Sequence, residues 1–240
     1  ELSKSTLLRA AITKTFGRPA YLDMVPASNF DSYGGNLTTG NPDLKPYESL
    51  NYDISIEHYF KSGAFVSLAA FYKDIDNPIY TQSITTYNVT YDNLFFPVFN
   101  VSTEGNGEAA HLEGMELSTK IPFSAFIKGF ADGFGVDANA SFMSSAVRVF
   151  SRPDILPLFQ SPKRIYNAGL YYEKYGFSAR VAYNYKSDSL DTIGSNSYSD
   201  IYMSSRFFWD AQVSYDINNN YSIFVNWQNI TSEPTNYWTA

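Results

Sequence analysis

The sequence predicts an all-β chain, a section of a transmembrane, antiparallel, up-and-down β-barrel wall. Three observations predict it. Apolar and polar residues alternate with period two along nine segments, which gives each strand one apolar and one polar face. The clearest segments keep the alternation for about 9–11 residues, the span of a tilted membrane crossing, where strands of globular domains average about 5–6. The connections are also short and long by turns, as in barrels with tight inner turns and extended outer loops.

Taken in order, segment 8–16 alternates loosely. Segment 50–60 is clean: Leu50, Tyr52, Ile54 and Ile56 share one face, and Asn51, Asp53, Ser55 and Glu57 the other. Segments 66–72 and 115–119 fit less well. Segments 134–142 and 166–172 repeat the scheme. In segment 177–185 the apolar face is Phe177, Ala179, Val181, Tyr183 and Tyr185, set against Ser178, Arg180, Ala182 and Asn184. Segment 209–217 sets Trp209, Ala211, Val213, Tyr215 and Ile217 against Asp210, Gln212, Ser214 and Asp216. Segment 221–228 sets Tyr221, Ile223, Val225 and Trp227 against Ser222, Phe224, Asn226 and Gln228. Residues 61–63, 173–176 and 218–220 read as tight turns. Residues 16–47, 73–108, 145–163 and 187–207 read as long outer loops, rare in number for a compact soluble domain.

No apolar-face residue of the four cleanest strands is charged. That is the pattern of a lipid-facing wall, where Lys or Arg at the midplane costs about 2–4 kcal/mol. Tyr and Trp cluster toward the strand ends, as an interfacial girdle requires. With tight turns on the inner side, strand direction puts Tyr52, Tyr183, Trp209 and Trp227 at the outer interface, the two Trp at one height. Phe60, Phe177, Tyr215 and Tyr221 fall at the inner one.

Composition excludes several classes. The 240 residues carry 17 Lys+Arg against 24 Asp+Glu, a net charge of −7, so sequence-independent nucleic-acid binding lacks its basic patch. With no Cys there is no disulfide framework, thiolate metal site or Cys nucleophile. An aromatic content of 18% argues against disorder. The longest apolar run, 64–72, is broken by Ser67 and falls far short of the ~20 residues of a membrane helix. The chain begins at Glu1 without Met or signal peptide, which suggests a mature chain or an internal piece. Counting strand directions leaves Ala240 on the outer side. Nine strands cannot close a barrel with both ends inside, so the expectation is a piece of a larger barrel.

Catalytic and metal motifs are weak. Gly105-Asn106-Gly107-Glu108-Ala109-Ala110 matches a loose dinucleotide fingerprint with no helix pattern after it. Asp74-Ile75-Asp76-Asn77 begins like a calcium loop, but its sixth position is Ile79 and its twelfth Thr85. His58 and His111 lack ligand spacing. Asp53 and Glu57, one strand face and ~13 Å apart, are too distant for a glycosidase pair. No catalytic residue, metal or cofactor is expected.

Certain blocks resemble the TonB-dependent outer-membrane receptors. Phe16-Gly17-Arg18-Pro19 after a strand, followed by Gly40-Asn41-Pro42-Asp43-Leu44-Lys45-Pro46-Tyr47-Glu48-Ser49 into the next, is similar to that family. Ala69 to Asn77, Leu112-Glu113-Gly114-Met115-Glu116-Leu117 and Asn226-Trp227-Gln228-Asn229-Ile230-Thr231 resemble its later strands in the right order. Pro42 and Pro46 have a structural reading too: they fix φ and stiffen the loop where it rejoins the wall. The resemblance implies a barrel of about 22 strands plugged by an N-terminal domain. Residues 1–240 would then be one unit, its C-terminal portion without the plug, the TonB box or the last strand.

The function so implied is energy-coupled import of a scarce nutrient across the bacterial outer membrane. The partners implied are outer-membrane lipid, the receptor's own plug, TonB through the plug, and a small-molecule or oligosaccharide solute. Solute arriving from outside would meet the loops and then the upper lumen. Asn51, Lys73, Asn184, Lys186, Asp210, Asn226 and Gln228 fall on the polar face near the outer rim, and Tyr80, Tyr87, Tyr91, Phe95, Phe96 and Trp238 in the outer loops. Aromatic faces stack on flat or sugar-like ligands while amides fix orientation. The aromatic and amide-rich loop 80–99 favours a carbohydrate over a ferric siderophore, which calls for more Arg. The rival reading is a soluble or secreted β-rich carbohydrate-binding module.

Overall fold

The computed structural model describes residues 4–149 and 152–239. All nine expected strands are present, all but the last longer than the alternation alone suggested: β1 (Thr6–Gly17), β2 (Tyr47–Tyr59), β3 (Phe65–Asp76), β4 (Ala109–Pro122), β5 (Phe134–Arg148), β6 (Arg164–Lys174), β7 (Phe177–Lys186), β8 (Arg206–Asn218) and β9 (Tyr221–Trp227). They pair antiparallel, each with its neighbour in sequence, in one sheet whose edges are β1 and β9. No described helix is long and apolar enough to cross a membrane.

The inner turns follow from local chemistry. Tyr175 (φ 58°) and Gly176 (φ 74°) form a two-residue turn with both φ positive, the type whose twist matches the flanking strands. Gly63 takes φ 83° in the β2–β3 turn, where Phe60 N–H donates to Ala64 O at 2.8 Å. After β8 the Asn218 side chain accepts from the backbone of Asn220 and Tyr221. The β4–β5 turn, residues 123–133, is longer and holds two short 3-10 helices.

Register fixes the two faces. Tyr52, Ile54 and Ile56 lie beside Ile12, Ala10 and Leu8 on β1 and Tyr72, Ala70 and Leu68 on β3, and Leu50, at the outer end, lies between Lys14 and Asp74. The same row continues through Leu117, Leu170, Val181 and Val213. These aliphatics are exposed (Ile12 72%) and form a continuous apolar band, too large for a water-facing surface and matched to lipid. Aromatic contacts bound the band. On the outer side Tyr52–Tyr72, Phe142–Tyr166, Tyr166–Tyr185 and Tyr183–Trp209 lie 5.0–6.3 Å apart by ring centroids. On the inner side Phe134, Tyr172 and Phe177 form the corresponding cluster. One expectation is corrected: Trp227 pairs with Ala211, not with Trp209. The turn after β8 sets this register, and Trp209 stands one pleat further out.

The outer excursions are β-structure as well. Ile79–Tyr91 and Leu94–Asn106 form a long hairpin turned at Asp92-Asn93, both with positive φ. Its second strand is joined by Asn36–Thr39, which pairs with Ser28–Asp31. Ser189–Thr192, Ile201–Met203 and Tyr237–Thr239 form a three-stranded sheet. A bridge between Gln82 and Ile193 ties the two sheets together. The buried core sits where these segments meet the outer ends of β4 and β5: Tyr80, Ala110, Val147, Val149, Leu156, Leu190 and Ile193. Beside it the Arg152 guanidinium, in ion pairs with Asp200 and Asp154, is 3% exposed and Asp200 2%. The outer segments are thus joined to one another by strand pairing, a shared core and a buried ion pair.

Candidate functional site

The polar face of the wall lines the lumen. On β7 and β8 it carries Arg180, Asn184, Asp210 and Gln212, and on β9 Asn226. Asn184 Nδ2 donates to Asp210 Oδ2 at 3.0 Å, and the Asn229 backbone N–H donates to Asp210 Oδ1 at 2.8 Å. The Asp210 carboxylate therefore anchors both a neighbouring strand and the bend after β9. Arg180, Asp210, Gln212, Asn226 and Gln228 border a cavity of about 290 Å³. Such a mix of amides, one cation and one carboxylate can orient a polar solute by directed hydrogen bonds.

Deeper in the lumen Arg180 Nη2 donates to Asp137 Oδ2 at 2.7 Å, reaching across β6 at Gly169. A Cβ at Gly169 would stand 2.8 Å from Arg180 Nη2 and 3.0 Å from Asp137 Oδ1, so glycine is what lets this pair close. The Lys120 ammonium lies 5.1 Å from the Tyr171 ring centroid. Arg180, Gln212 and Asp137 were absent from the residues expected at the site. Parity alone places Arg180 and Gln212 beside Asp210 and would have found them.

The structure gathers Asn184, Asp210, Asn226 and Gln228 at this cavity. Lys186 is further out on the same face, paired in register with Arg206. Lys73 is across the sheet, 5.9 Å from the Phe71 ring. Asn51 is corrected: it is buried, and its amide donates to Thr13 O and to Thr15 Oγ1, bonding β1 to β2. Tyr80, 2% exposed, is corrected likewise, since it fills the core of the outer block. Phe96 is buried against Phe30 and Phe99. Tyr91 packs on the same two rings. Tyr87 and Phe95 are exposed. Trp238 stacks on Tyr202 at 4.7 Å, 15° from parallel.

The weak motifs resolve into wall. Gly105 and Ala110 belong to successive strands, with no helix between. Asp74 and Asp76 end β3, opposite His111 and Ala109. His58 Nδ1 pairs with Thr6 Oγ1 at 2.8 Å and His111 stacks on Tyr72. The described residues hold no group of three or more His, Cys, Asp or Glu able to bind a metal ion.

Comparison with known proteins agrees with this geometry. The family model described as TonB dependent receptor-like, beta-barrel matches residues 1–230. The iron-regulated outer membrane virulence protein of Vibrio cholerae serotype O1 is 25% identical over 235 residues, 96% of this chain and 34% of that protein. Among solved structures, a ferric enterobactin receptor mutant of Pseudomonas aeruginosa in complex with enterobactin superposes with TM-score 0.62 at 15% identity, over 96% of this chain and 34% of its own. A siderophore receptor of Acinetobacter baumannii gives 0.60 at 16%, over 96% and 35%. A copper transporter gives 0.64 at 14%, over 96% and 32%. The chain spans about a third of the length of the relatives it matches.

Proposed function

The chain belongs to the TonB-dependent receptor β-barrel family, and on that premise we propose that the receptor it forms part of imports scarce iron as a chelate, driven through TonB. Members of this family are outer-membrane transporters, not enzymes, and this chain is a section of outer-membrane wall. That location removes the soluble-module reading. The observation that carries the proposal is the row of hydrogen-bonding side chains, Arg180, Asn184, Asp210, Gln212 and Asn226, on the lumen face of β7 to β9. A solute released from the outer loops passes Lys186 and then meets these groups. Arg180, held by Asp137, and the amides offer N–H donors to the oxygens of a chelate.

The relatives named above favour iron over a carbohydrate: one is iron-regulated, two are named for siderophores and one for copper. The aromatic loop residues that favoured a sugar are largely packed on one another, Tyr91 and Phe96 among them. The receptor's own plug and TonB complete the proposed machine. The test is uptake of radioactive iron, supplied as a catecholate or hydroxamate chelate, by cells with and without the receptor under iron starvation. Receptor-dependent uptake abolished by a proton uncoupler is expected. Equal uptake in both strains would overturn the proposal.

A further inference from the structure

The β4–β5 turn differs from the other inner turns. Those after β2, β6 and β8 are Phe60-Lys61-Ser62-Gly63-Ala64, Tyr175-Gly176 and Asn219-Asn220, with one aromatic at most beside the strand end. Residues 123–133 instead read Phe-Ser-Ala-Phe-Ile-Lys-Gly-Phe-Ala-Asp-Gly, with three aromatics and an isoleucine. Phe126 is 76% exposed and Phe130 68%, and Ile127 is exposed beside them. Apolar side chains at the tip of a membrane protein's turn need a cover.

The direction of the turn identifies that cover. Phe123 and Phe130 lie 6.5 and 6.2 Å from the ring of Phe134, and Phe130 lies 5.1 Å from the ring of Tyr172. Phe134 and Tyr172 stand in the same row as Val136 and Leu170, the bilayer-facing side of β5 and β6. The turn therefore extends the lipid-facing surface rather than the lumen. It is also held in place. The Lys174 ammonium at the inner end of β6 donates to Gly129 O and pairs with Asp132. Phe126 and Ile127 N–H both donate to Phe123 O at 2.9 Å. Exposed Lys128 sits between the apolar residues, as a cation does where acyl chains meet phosphate.

We propose that residues 123–133 form a preformed foot that seats in the inner-leaflet interface of the outer membrane, with Phe126, Ile127 and Phe130 among the acyl chains and Lys128 at the phospholipid phosphates. Continuity with the lipid-facing wall selects phospholipid over a protein partner.

The test uses the full receptor in vesicles of phosphatidylethanolamine and phosphatidylglycerol. This chain has no cysteine, so spin labels on Phe126→Cys, Ile127→Cys and Phe130→Cys, with the rest of the receptor made cysteine-free, report one site each. Asn219→Cys in the polar β8–β9 turn is the aqueous control. Only protein that runs as folded barrel on unheated gels is read. The proposal expects collision with oxygen to exceed collision with a nickel chelate severalfold at the three foot sites, and the reverse at Asn219. Nickel access equal to Asn219 would overturn it by placing the foot in water. Exclusion of both reagents would overturn it too, by placing a protein over these residues.

Discussion

Replacing Asp200 with alanine removes a buried charge from the outer block while leaving its partner in place. Arg152 and Asp200 are 3% and 2% exposed, and Asp200 Oδ1 also accepts the Gly194 N–H at 3.0 Å. Breaking such a pair from one side costs about 3–5 kcal/mol, because the remaining charge is left desolvated. Arg152 keeps Asp154, a carboxylate 45% exposed, so the lower end applies, about 3 kcal/mol. At about 1.4 kcal/mol per decade that is roughly a hundredfold in the opening equilibrium. The loss falls on the block, since the wall has its own ladder. Hydrogen exchange should thus rise about a hundredfold at amides that join the outer segments, namely Ser83, bonded to Ile193 O, and Gln160, bonded to Leu190 O. The Val181 amide in the wall should be unchanged. Removing both charges in Arg152→Met with Asp200→Leu should recover most of the loss. A single variant that leaves Ser83 and Gln160 unaffected, or one that loosens the wall equally, would refute the idea that this ion pair locks a separate block.

Three further outcomes follow. Arg152 holds the Asp154 carboxyl below its ordinary value of 3.8, so that contribution is complete above pH 3.8 and lost as pH falls through the lower folded value; protection of the outer-block amides relative to their intrinsic exchange rate should stay flat from neutral pH down to about 4 and fall only below it. With Trp238 replaced by Phe, quenchers at graded bilayer depth should find Trp209 shallower than Trp227 by about two residues of strand rise, some 6–7 Å before tilt; equal depths would contradict the pairing of Trp227 with Ala211. Alanine at Asp210 and Asn226 together should weaken solute binding to the full receptor about tenfold or more without reducing folded barrel, because two directed hydrogen bonds are lost; unchanged binding, measured by titration, would move the site elsewhere.

The wall was legible because its code is local. Alternation in 177–185 and 209–217 names most lipid-facing and lumen-facing residues of β7 and β8, including Arg180 and Gln212. The outer block was not legible because its contacts are distant in sequence. Nothing near Gln82 signals Ile193, and Tyr80, Leu190 and Val149 show no period that marks them as core. One local signal was there: Asp92-Asn93 between two β-rich runs is a two-residue hairpin turn. Tyr80 and Phe96 were read as ligand contacts because loop aromatics are ambiguous between binding and packing, and only the three-dimensional neighbours decide. The Trp209–Trp227 level depended on where the β8–β9 turn is centred, a shift of one residue that alternation does not record.

The central claim is that one face of this sheet meets lipid and the other a polar lumen, and Val181 tests it most directly. It lies four residues from Phe177 at the inner belt and four from Tyr185 at the outer one, about 13 Å along the strand each way, and so near the bilayer midplane. Asn184, three residues on, points into the lumen and bonds Asp210. Equilibrium folding of the full receptor into phospholipid vesicles, followed by denaturant titration, should show Val181→Arg losing about 2–4 kcal/mol and Asn184→Arg, which gains Asp210 as a partner, losing little. Equal losses for the two variants, or a larger one for Asn184→Arg, would contradict the assignment of faces on which the account rests.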